Sequence, residues 1–81
     1  MLTYKQQKIL IEIYKSKEPL TFKDQKIFKN RMAFWRSMKL LIERGFVSKK
    51  LIRKNGRFIN AYLVTLDGAM LSEYLKRFND G

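Results

Sequence analysis

Asn55-Gly56 is the sequence feature that most restricts how this chain can fold. Both residues tolerate positive φ, which makes Asn-Gly the strongest short signal for a two-residue β-hairpin turn. The residues on either side are rich in β-branched, aromatic and other apolar side chains, as strands are. We therefore expect an antiparallel hairpin over residues 47–64, with Lys54 opposite Arg57.

Four other segments have apolar residues at helical spacing and carry start or stop signals. Thr3 begins the first with a capping box, and Pro19 ends it because proline disfavours a helical conformation in the preceding residue. Asn30 and Thr65 can cap two later helices, and Gly45 supplies a left-handed stop. The expected helices cover residues 3–17, 21–29, 31–44 and 66–78. The sequence thus predicts one α+β domain over residues 1–81, with three helices, a hairpin and a C-terminal helix.

The charge balance is strongly basic, because 18 lysines and arginines face 7 acids and leave a net charge of +11. A charge of that size favours a polyanionic partner: nucleic acid, an anionic membrane surface or an acidic protein. Nine basic residues lie between Arg31 and Arg57, against a single acid, Glu43. The polyanion is therefore expected to meet the third helix and the hairpin.

Catalysis and metal binding are not expected of this composition. Histidine and cysteine are absent, which excludes the usual zinc ligands, the commonest general base and the commonest covalent nucleophile. The 7 carboxylates are scattered over separate elements, and there is no glycine-rich phosphate loop. We expect no cofactor, and nothing in the sequence indicates a small-molecule effector.

The hydropathy pattern favours a folded protein outside the membrane. An apolar fraction of 46% argues for folding rather than disorder. No apolar run approaches the roughly 18 residues that a membrane span needs. The polar residues Gln6, Gln7 and Lys8 occupy the place of a signal peptide's apolar segment. We expect a soluble, cytoplasmic protein associated with DNA.

Two local motifs give this order of elements a resemblance to a known family. Residues 41–47 (LIERGFV) are similar to the L-x-E-R-G-L-I that closes the recognition helix of MarR- and PadR-type regulators. Residues 62–68 (YLVTLDG) are similar to the Y-x-L-T-x-x-G that joins their wing to the next helix. The resemblance implies a winged helix-turn-helix fold and DNA binding in transcription regulation. In size and charge the chain is closer to minimal winged-helix proteins of archaea and their viruses, because the long dimerisation helices of MarR proteins have no room here.

The outward face of the third helix is the expected DNA-reading surface, since recognition helices contact base edges with their N-terminal residues. Arg31 and Arg36 suit the two adjacent acceptors of guanine. Trp35 either contacts the groove or belongs to the core. The expected DNA-binding residues of this helix are Arg31, Met32, Trp35, Arg36 and Lys39.

The hairpin is the expected wing. Like charges directly across a hairpin repel each other, and phosphates would relieve the repulsion and release counterions. The simpler reading is a solvated basic edge that blocks aggregation, for which fewer lysines would be enough. The expected wing residues are Lys49, Lys50, Arg53, Lys54 and Arg57. Thr21 and Lys23, at the start of the second helix, are expected to make weaker backbone contacts.

Residues 59–81 have the opposite character, with a net charge of −1 and a wide apolar stripe. This end should face away from DNA, where it either covers the core or forms a two-fold interface with a second copy. We expect a homodimer, and its interface residues are Tyr4, Ile11, Met70, Leu71, Tyr74, Leu75 and Phe78.

Together these features predict a homodimeric transcription regulator that binds double-stranded DNA sequence-specifically, at half-sites about one helical turn apart. Two alternatives stay open. One is sequence-independent DNA coating, or RNA binding, by the same scaffold. The other is a protein-interaction module that docks an acidic partner.

Overall fold

The computed structural model describes residues 1–79 and has an α+β arrangement of three α-helices and a two-stranded antiparallel hairpin. The elements in chain order are α1 (Tyr4–Lys15), a short 3-10 helix (Phe22–Asp24), α2 (Arg31–Glu43), β1 (Val47–Lys54), β2 (Arg57–Val64) and α3 (Leu66–Asn79). Within this part of the chain, no helix combines the length and apolar character needed to cross a membrane.

The first helix, α1, begins with the predicted capping box. The Gln6 N–H donates to Thr3 Oγ1 at 3.1 Å, and the Thr3 N–H donates to Gln6 Oε1 at 2.9 Å. The helix ends at Lys15 rather than at residue 17, because Ser16 already has extended backbone angles (φ −72°, ψ 133°). Its inward face buries Ile9, Leu10 and Ile13.

The predicted helix over residues 21–29 is wrong. Only Phe22–Asp24 is helical, and Gln25 is extended with φ −118° and ψ 156°. The Gln25 side chain is buried; its Nε2 donates to Phe22 O at 3.0 Å and Phe28 O at 2.9 Å, and its Oε1 accepts from Phe28 N at 2.8 Å. One side-chain amide thus pairs with backbone groups that helical hydrogen bonds would otherwise satisfy.

The capping signal that indicated this helix is nevertheless formed. The N–H and the hydroxyl of Thr21 both donate to Asp24 Oδ2 at 2.9 Å. These bonds, led by the N–H, lower the pKa of the Asp24 carboxyl. A capping box fixes the first turn only, and here the Gln25 amide ends that turn.

The start of α2 agrees with the prediction. Asn30 Oδ1 accepts from Met32 N at 2.7 Å and from Ala33 N at 3.2 Å. These bonds satisfy two N–H groups that have no partner within the helix. The inward face buries Phe34, Ser37, Met38 and Leu41.

The end of α2 is a Schellman motif, which the sequence predicts from Gly45. The Gly45 N–H donates to Ile42 O at 3.0 Å, and the Phe46 N–H donates to Leu41 O at 2.9 Å. Gly45 has φ 80°, a conformation that residues with a Cβ avoid. The helix ends at Glu43, one residue before the predicted end.

The hairpin has the predicted turn and register. Asn55 (φ 54°) and Gly56 (φ 76°) both have positive φ, as a type I′ turn requires. Lys54 pairs with Arg57 across this turn. The two-residue loop therefore determines which side chains share each face of the ribbon.

The base of the hairpin is fixed to the core. Leu20 forms a single β-bridge with Tyr62, with N–H···O distances of 2.9 and 2.8 Å. The Phe34 ring packs edge-on against the rings of Phe22, Phe28 and Tyr62, with centroids 5.3, 6.3 and 5.5 Å away. β2 thus lies between β1 and the segment after α1, and α2 packs against its inner end.

A single junction joins α2, the hairpin and α3. Thr65 Oγ1 donates to Gly45 O at 2.6 Å and accepts from Gly68 N at 3.0 Å, and the Thr65 N–H donates to Phe46 O at 3.0 Å. A Cβ on Gly68 would lie 2.0 Å from Phe46 O and 2.7 Å from Val64 Cγ2. Only glycine fits at this position without a backbone shift.

Replacing Gly68 with alanine should destabilise the fold, even though alanine is the better helix former. The added methyl group meets a backbone oxygen, so α3 must move away from the end of α2. We expect a loss of about 3 kcal/mol in the free energy of unfolding, at the upper end of overpacking costs. Chemical denaturation measures it.

Gly56→Ala is the matched control, because nothing lies within 4 Å of a Cβ at Gly56 and only its positive φ opposes the change. That strain should cost about 1 kcal/mol. A Gly68→Ala protein as stable as the native one would contradict the close packing of α3 on Phe46.

Candidate nucleic-acid interface

The outward face of α2 carries all the residues predicted to read DNA. Each of them is exposed: Arg31, Met32, Trp35, Arg36 and Lys39. Trp35 keeps 47% of its surface exposed and Met32 keeps 55%, whereas Phe34 keeps 3%. Phe34 therefore takes the core position, and Trp35 lies on the outer face among the cations.

Two cations of this face lie near aromatic rings. The Arg31 guanidinium carbon is 4.6 Å from the centroid of Phe22, and Lys39 Nζ is 5.3 Å from that of Trp35. An exposed contact of this kind contributes about 0.5–1 kcal/mol. It orients the cation and leaves its charge intact.

The first turn of α2 lacks the acidic residue that usually interacts favourably with the positive end of a helix dipole. Arg31 occupies the first helical position, and that turn contains no acid. The helix dipole is positive at this end, so a cation there is unfavourable and an approaching anion is favoured. An anion near the start of α2 would therefore interact favourably with the helix dipole and with Arg31.

The hairpin presents a second group of cations. Its basic residues are all exposed: Lys49, Lys50, Arg53, Lys54 and Arg57. Lys54 lies directly opposite Arg57, and Arg53 lies opposite Phe58, as predicted. Across residues 1–79 the one ion pair joins Lys76 to Glu73 at 3.8 Å, on α3. The hairpin cations therefore lie next to one another, and none of them forms an ion pair with an acid of residues 1–79.

Lys54 interacts electrostatically with the carboxylate of Asp24. It helps to lower the pKa of Asp24, although it contributes less than the two hydrogen bonds from Thr21, and burial acts in the opposite direction. Lys54 and Ile52 line an open depression together with Leu20, Thr21 and Asp24. Lys54 thus faces Asp24 across this depression without pairing with it.

Thr21 and Lys23, the two residues predicted to contact the DNA backbone, differ in their exposure. Thr21 is 5% exposed and its hydroxyl donates to Asp24, so it is not available to a phosphate. Lys23 is exposed. The helix N-terminus on which this prediction depended is a single 3-10 turn, Phe22–Asp24.

Leu51 and Phe58 are exposed apolar residues of the hairpin that the sequence analysis did not include in the predicted interface. Leu51 is 60% exposed and Phe58 is 65% exposed. The available signal was the predicted register, which sets Arg53 opposite Phe58 and places Leu51 on the same face as Arg53. Arg53 lies over the Phe58 ring, 5.7 Å from its centroid.

The predicted two-fold interface divides into an exposed and a packed group. Met70, Tyr74 and Phe78 are exposed, as is Tyr4, whereas Ile11 is partly buried. Leu71 and Leu75 pack against the core. Leu66, 78% exposed, lies four residues before Met70 and extends the stripe, although the sequence analysis did not assign it to the interface. The exposed stripe on α3, hereafter the α3 stripe, consists of Leu66, Met70, Tyr74 and Phe78.

α3 is held against α1 by a polar contact beside this stripe. The Tyr14 hydroxyl donates to the Glu73 carboxylate. This bond raises the pKa of the Tyr14 hydroxyl and lowers the pKa of the Glu73 carboxyl, which Lys76 lowers further. The contact fixes which side of α3 faces away from the core.

Comparisons of this chain with protein-family models, curated proteins and solved structures found no match. The functional argument therefore depends on the geometry and charge described above.

Proposed function

We propose that this protein binds double-stranded DNA as a winged-helix transcription regulator, with α2 in the major groove and the hairpin as the wing. The observation that carries the proposal is the arrangement of cations. The outer face of α2 and the hairpin are both basic, are separated by three residues, 44–46, and form no ion pair within residues 1–79. Such a protein would be associated with DNA in the cell.

The loop before α2 replaces the first helix of a helix-turn-helix. That helix normally supports the recognition helix, and here the Gln25 loop and the rings of Phe22 and Phe28 pack behind Phe34 instead. A recognition helix needs a rigid support more than it needs a particular kind of support. The proposal therefore keeps α2 as the reading element.

The chemistry of α2 supports base readout. Arg36 has a planar fork that matches guanine O6 and N7, and Arg31 lies at the end that enters the groove first. Met32 and Trp35 offer apolar surface to thymine methyl groups. Contact with thymine methyl groups distinguishes one base from another, so these apolar groups on the major-groove face favour a sequence-specific regulator.

The junction at Thr65 supports the resemblance to MarR- and PadR-type regulators. Residues of the two similar motifs contact each other, because Thr65 and Gly68 from the second motif meet Gly45 and Phe46 from the first. The motifs thus have a shared structural role, which is to set the angle between α2 and the hairpin. That role would hold both cationic elements toward one duplex.

A homodimer is the second part of the proposal, and the α3 stripe supports it. The stripe repeats at every fourth residue, and α3 carries Asp67 and Glu73 against Lys76 and Arg77, a net charge of zero on a chain of +11. At α3 a second copy would therefore meet no local excess of positive charge, unlike at α2 or the hairpin. An antiparallel pair of α3 helices would set Asp67 beside the partner's Arg77.

Replacing Arg36 or Arg57 with alanine should separate base readout from backbone contact. Arg36→Ala should cost roughly 1–3 kcal/mol on the best site and little on random duplex. Arg57→Ala should weaken all sequences alike and reduce the salt slope by about one unit. Fluorescence anisotropy at several salt concentrations measures both.

The outcome also distinguishes the alternatives. Equal losses on both DNAs for Arg36→Ala would make it a backbone contact and favour sequence-independent coating. Preference for single-stranded or A-form competitor would indicate RNA binding. If duplex DNA does not bind even at low salt, the proposal is wrong and an acidic protein partner becomes the better candidate.

Replacing Met70 with glutamate should convert the dimer to a monomer, because it buries a charge in the α3 stripe. Met32→Glu is the matched control, since Met32 is a similarly exposed methionine on α2 (55% against 64%) and lies outside the stripe. Sedimentation velocity should show a dimer for Met32→Glu and a monomer for Met70→Glu. A native protein that stays monomeric at every concentration would refute the interface.

A further inference from the structure

The two faces of the hairpin differ in a way that DNA backbone contact alone does not explain. The register sets Arg53 opposite Phe58 and Leu51 opposite Asn60, so these four side chains share one face. Leu51 and Phe58 are among the exposed large apolar residues of the protein, at 60% and 65%. A wing that only touched phosphates would have no need of them.

At the base of the ribbon, Val47 and Tyr62 on the Leu51–Phe58 face are buried in the core. Nearer the tip, it is the opposite face that adjoins the body of the protein. Ile52 belongs to it and lines the depression with Pro19 and Leu20. The face of Leu51 and Phe58 therefore points away from that depression. Phe58 lies two residues beyond Gly56, close to the tip of the ribbon.

We propose that Phe58 and Leu51 form an apolar wedge that enters the minor groove, partly unstacks a base step and bends the duplex. This inference rests on the proposed DNA binding. Proteins that insert phenylalanine or leucine between base pairs bend DNA by about 20–90° toward the major groove. With this wedge, the wing would deform the duplex as well as anchor the protein to the DNA backbone.

The dimensions of the ribbon and the groove support a wedge. The minor groove of B-DNA is about 6 Å wide, whereas two strands about 4.8 Å apart with their side chains are wider than that. The ribbon can enter only where the groove opens. Inserting an apolar side chain into a step opens it, and flexible steps such as TA or CA deform at the lowest cost.

The surrounding charges fit DNA as the occupant. Residues 44–66 contain six basic residues and no acid, and Arg53 lies over the Phe58 ring, so the wedge and a cation are presented together. Phosphates border both sides of the minor groove and can pair with these cations.

The charged tip argues against an anionic membrane as the occupant. Lys54 and Arg57 lie closer to the tip than Phe58 does and would enter the hydrocarbon first. A lysine or arginine at the bilayer centre costs about 2.5–3.5 kcal/mol each on insertion scales. In a DNA groove the same two cations stay beside phosphates.

Phe58→Ala should abolish bending while leaving most of the binding. The probes are a duplex with donor and acceptor dyes at its ends, and one with 2-aminopurine at a central TA step. Native protein should raise the energy transfer and the 2-aminopurine fluorescence, because the ends approach and the base unstacks. Phe58→Ala should bind and change neither signal.

Three further variants keep the test specific. Phe58→Leu retains an apolar wedge and should restore both signals, whereas Phe58→Ser should not. Arg57→Ala should weaken binding and, at saturating protein, give the native bend. Phe58 is exposed, so the native circular dichroism spectrum is expected for all these variants.

The possible failures are distinguishable. Native protein that binds a straight, fully stacked duplex would overturn the wedge and leave the proposed DNA binding intact. No duplex binding at low salt would overturn both. Binding to vesicles of anionic phospholipid that depends on Phe58, with no bending of DNA, would overturn the wedge in favour of a membrane contact.

Discussion

The close approach of α3 to the Phe46 carbonyl is the constraint on which the rest of the structure depends. Phe46 O accepts the Thr65 N–H at 3.0 Å and leaves no room for a Cβ on Gly68. On the other side of Phe46, the left-handed Gly45 ends α2, and β1 starts at Val47. Phe46 is thus the residue at which α2, β1 and α3 meet, with its N–H bonded to the end of α2 and its carbonyl to the start of α3. The angle between α2 and the hairpin is set by backbone atoms and hydrogen bonds, so the cations on both elements are presented in a defined geometry.

That geometry has an electrostatic cost. Lys54 is held opposite Arg57, and Arg31 lies at the positive end of the α2 dipole. Within the described range 1–79, none of these three cations forms an ion pair with an acid. Two of the acids bond to other groups: Asp24 accepts from Thr21, and Glu73 accepts from Tyr14. A polyanion would relieve repulsion that the folded chain cannot relieve itself, and this is why we favour a nucleic acid over a neutral or basic partner.

Local signals allowed much of the fold to be predicted from the sequence. Thr3, Asn30 and Gly45 determine helix ends through their own side chains or φ angles, and Asn55-Gly56 determines the register of the hairpin. The helix over residues 21–29 was wrong because the buried Gln25 amide bonds to Phe22 and Phe28, a tertiary arrangement that no periodicity reveals. The exposed faces of α2 and the hairpin followed from spacing. The division of the C-terminal stripe did not, since Leu71 and Leu75 are assigned to the core only by how α3 docks.

The most direct test of the central claim is to titrate duplex DNA into isotopically labelled protein at low salt and map the amide chemical shifts by NMR. The account predicts that the largest changes fall on the outer face of α2, around Arg36, and along the hairpin from Lys49 to Phe58. Amides of the α3 stripe should change little. A spectrum that does not change on adding DNA, or one in which the changes concentrate on α3 and spare α2 and the hairpin, would contradict it.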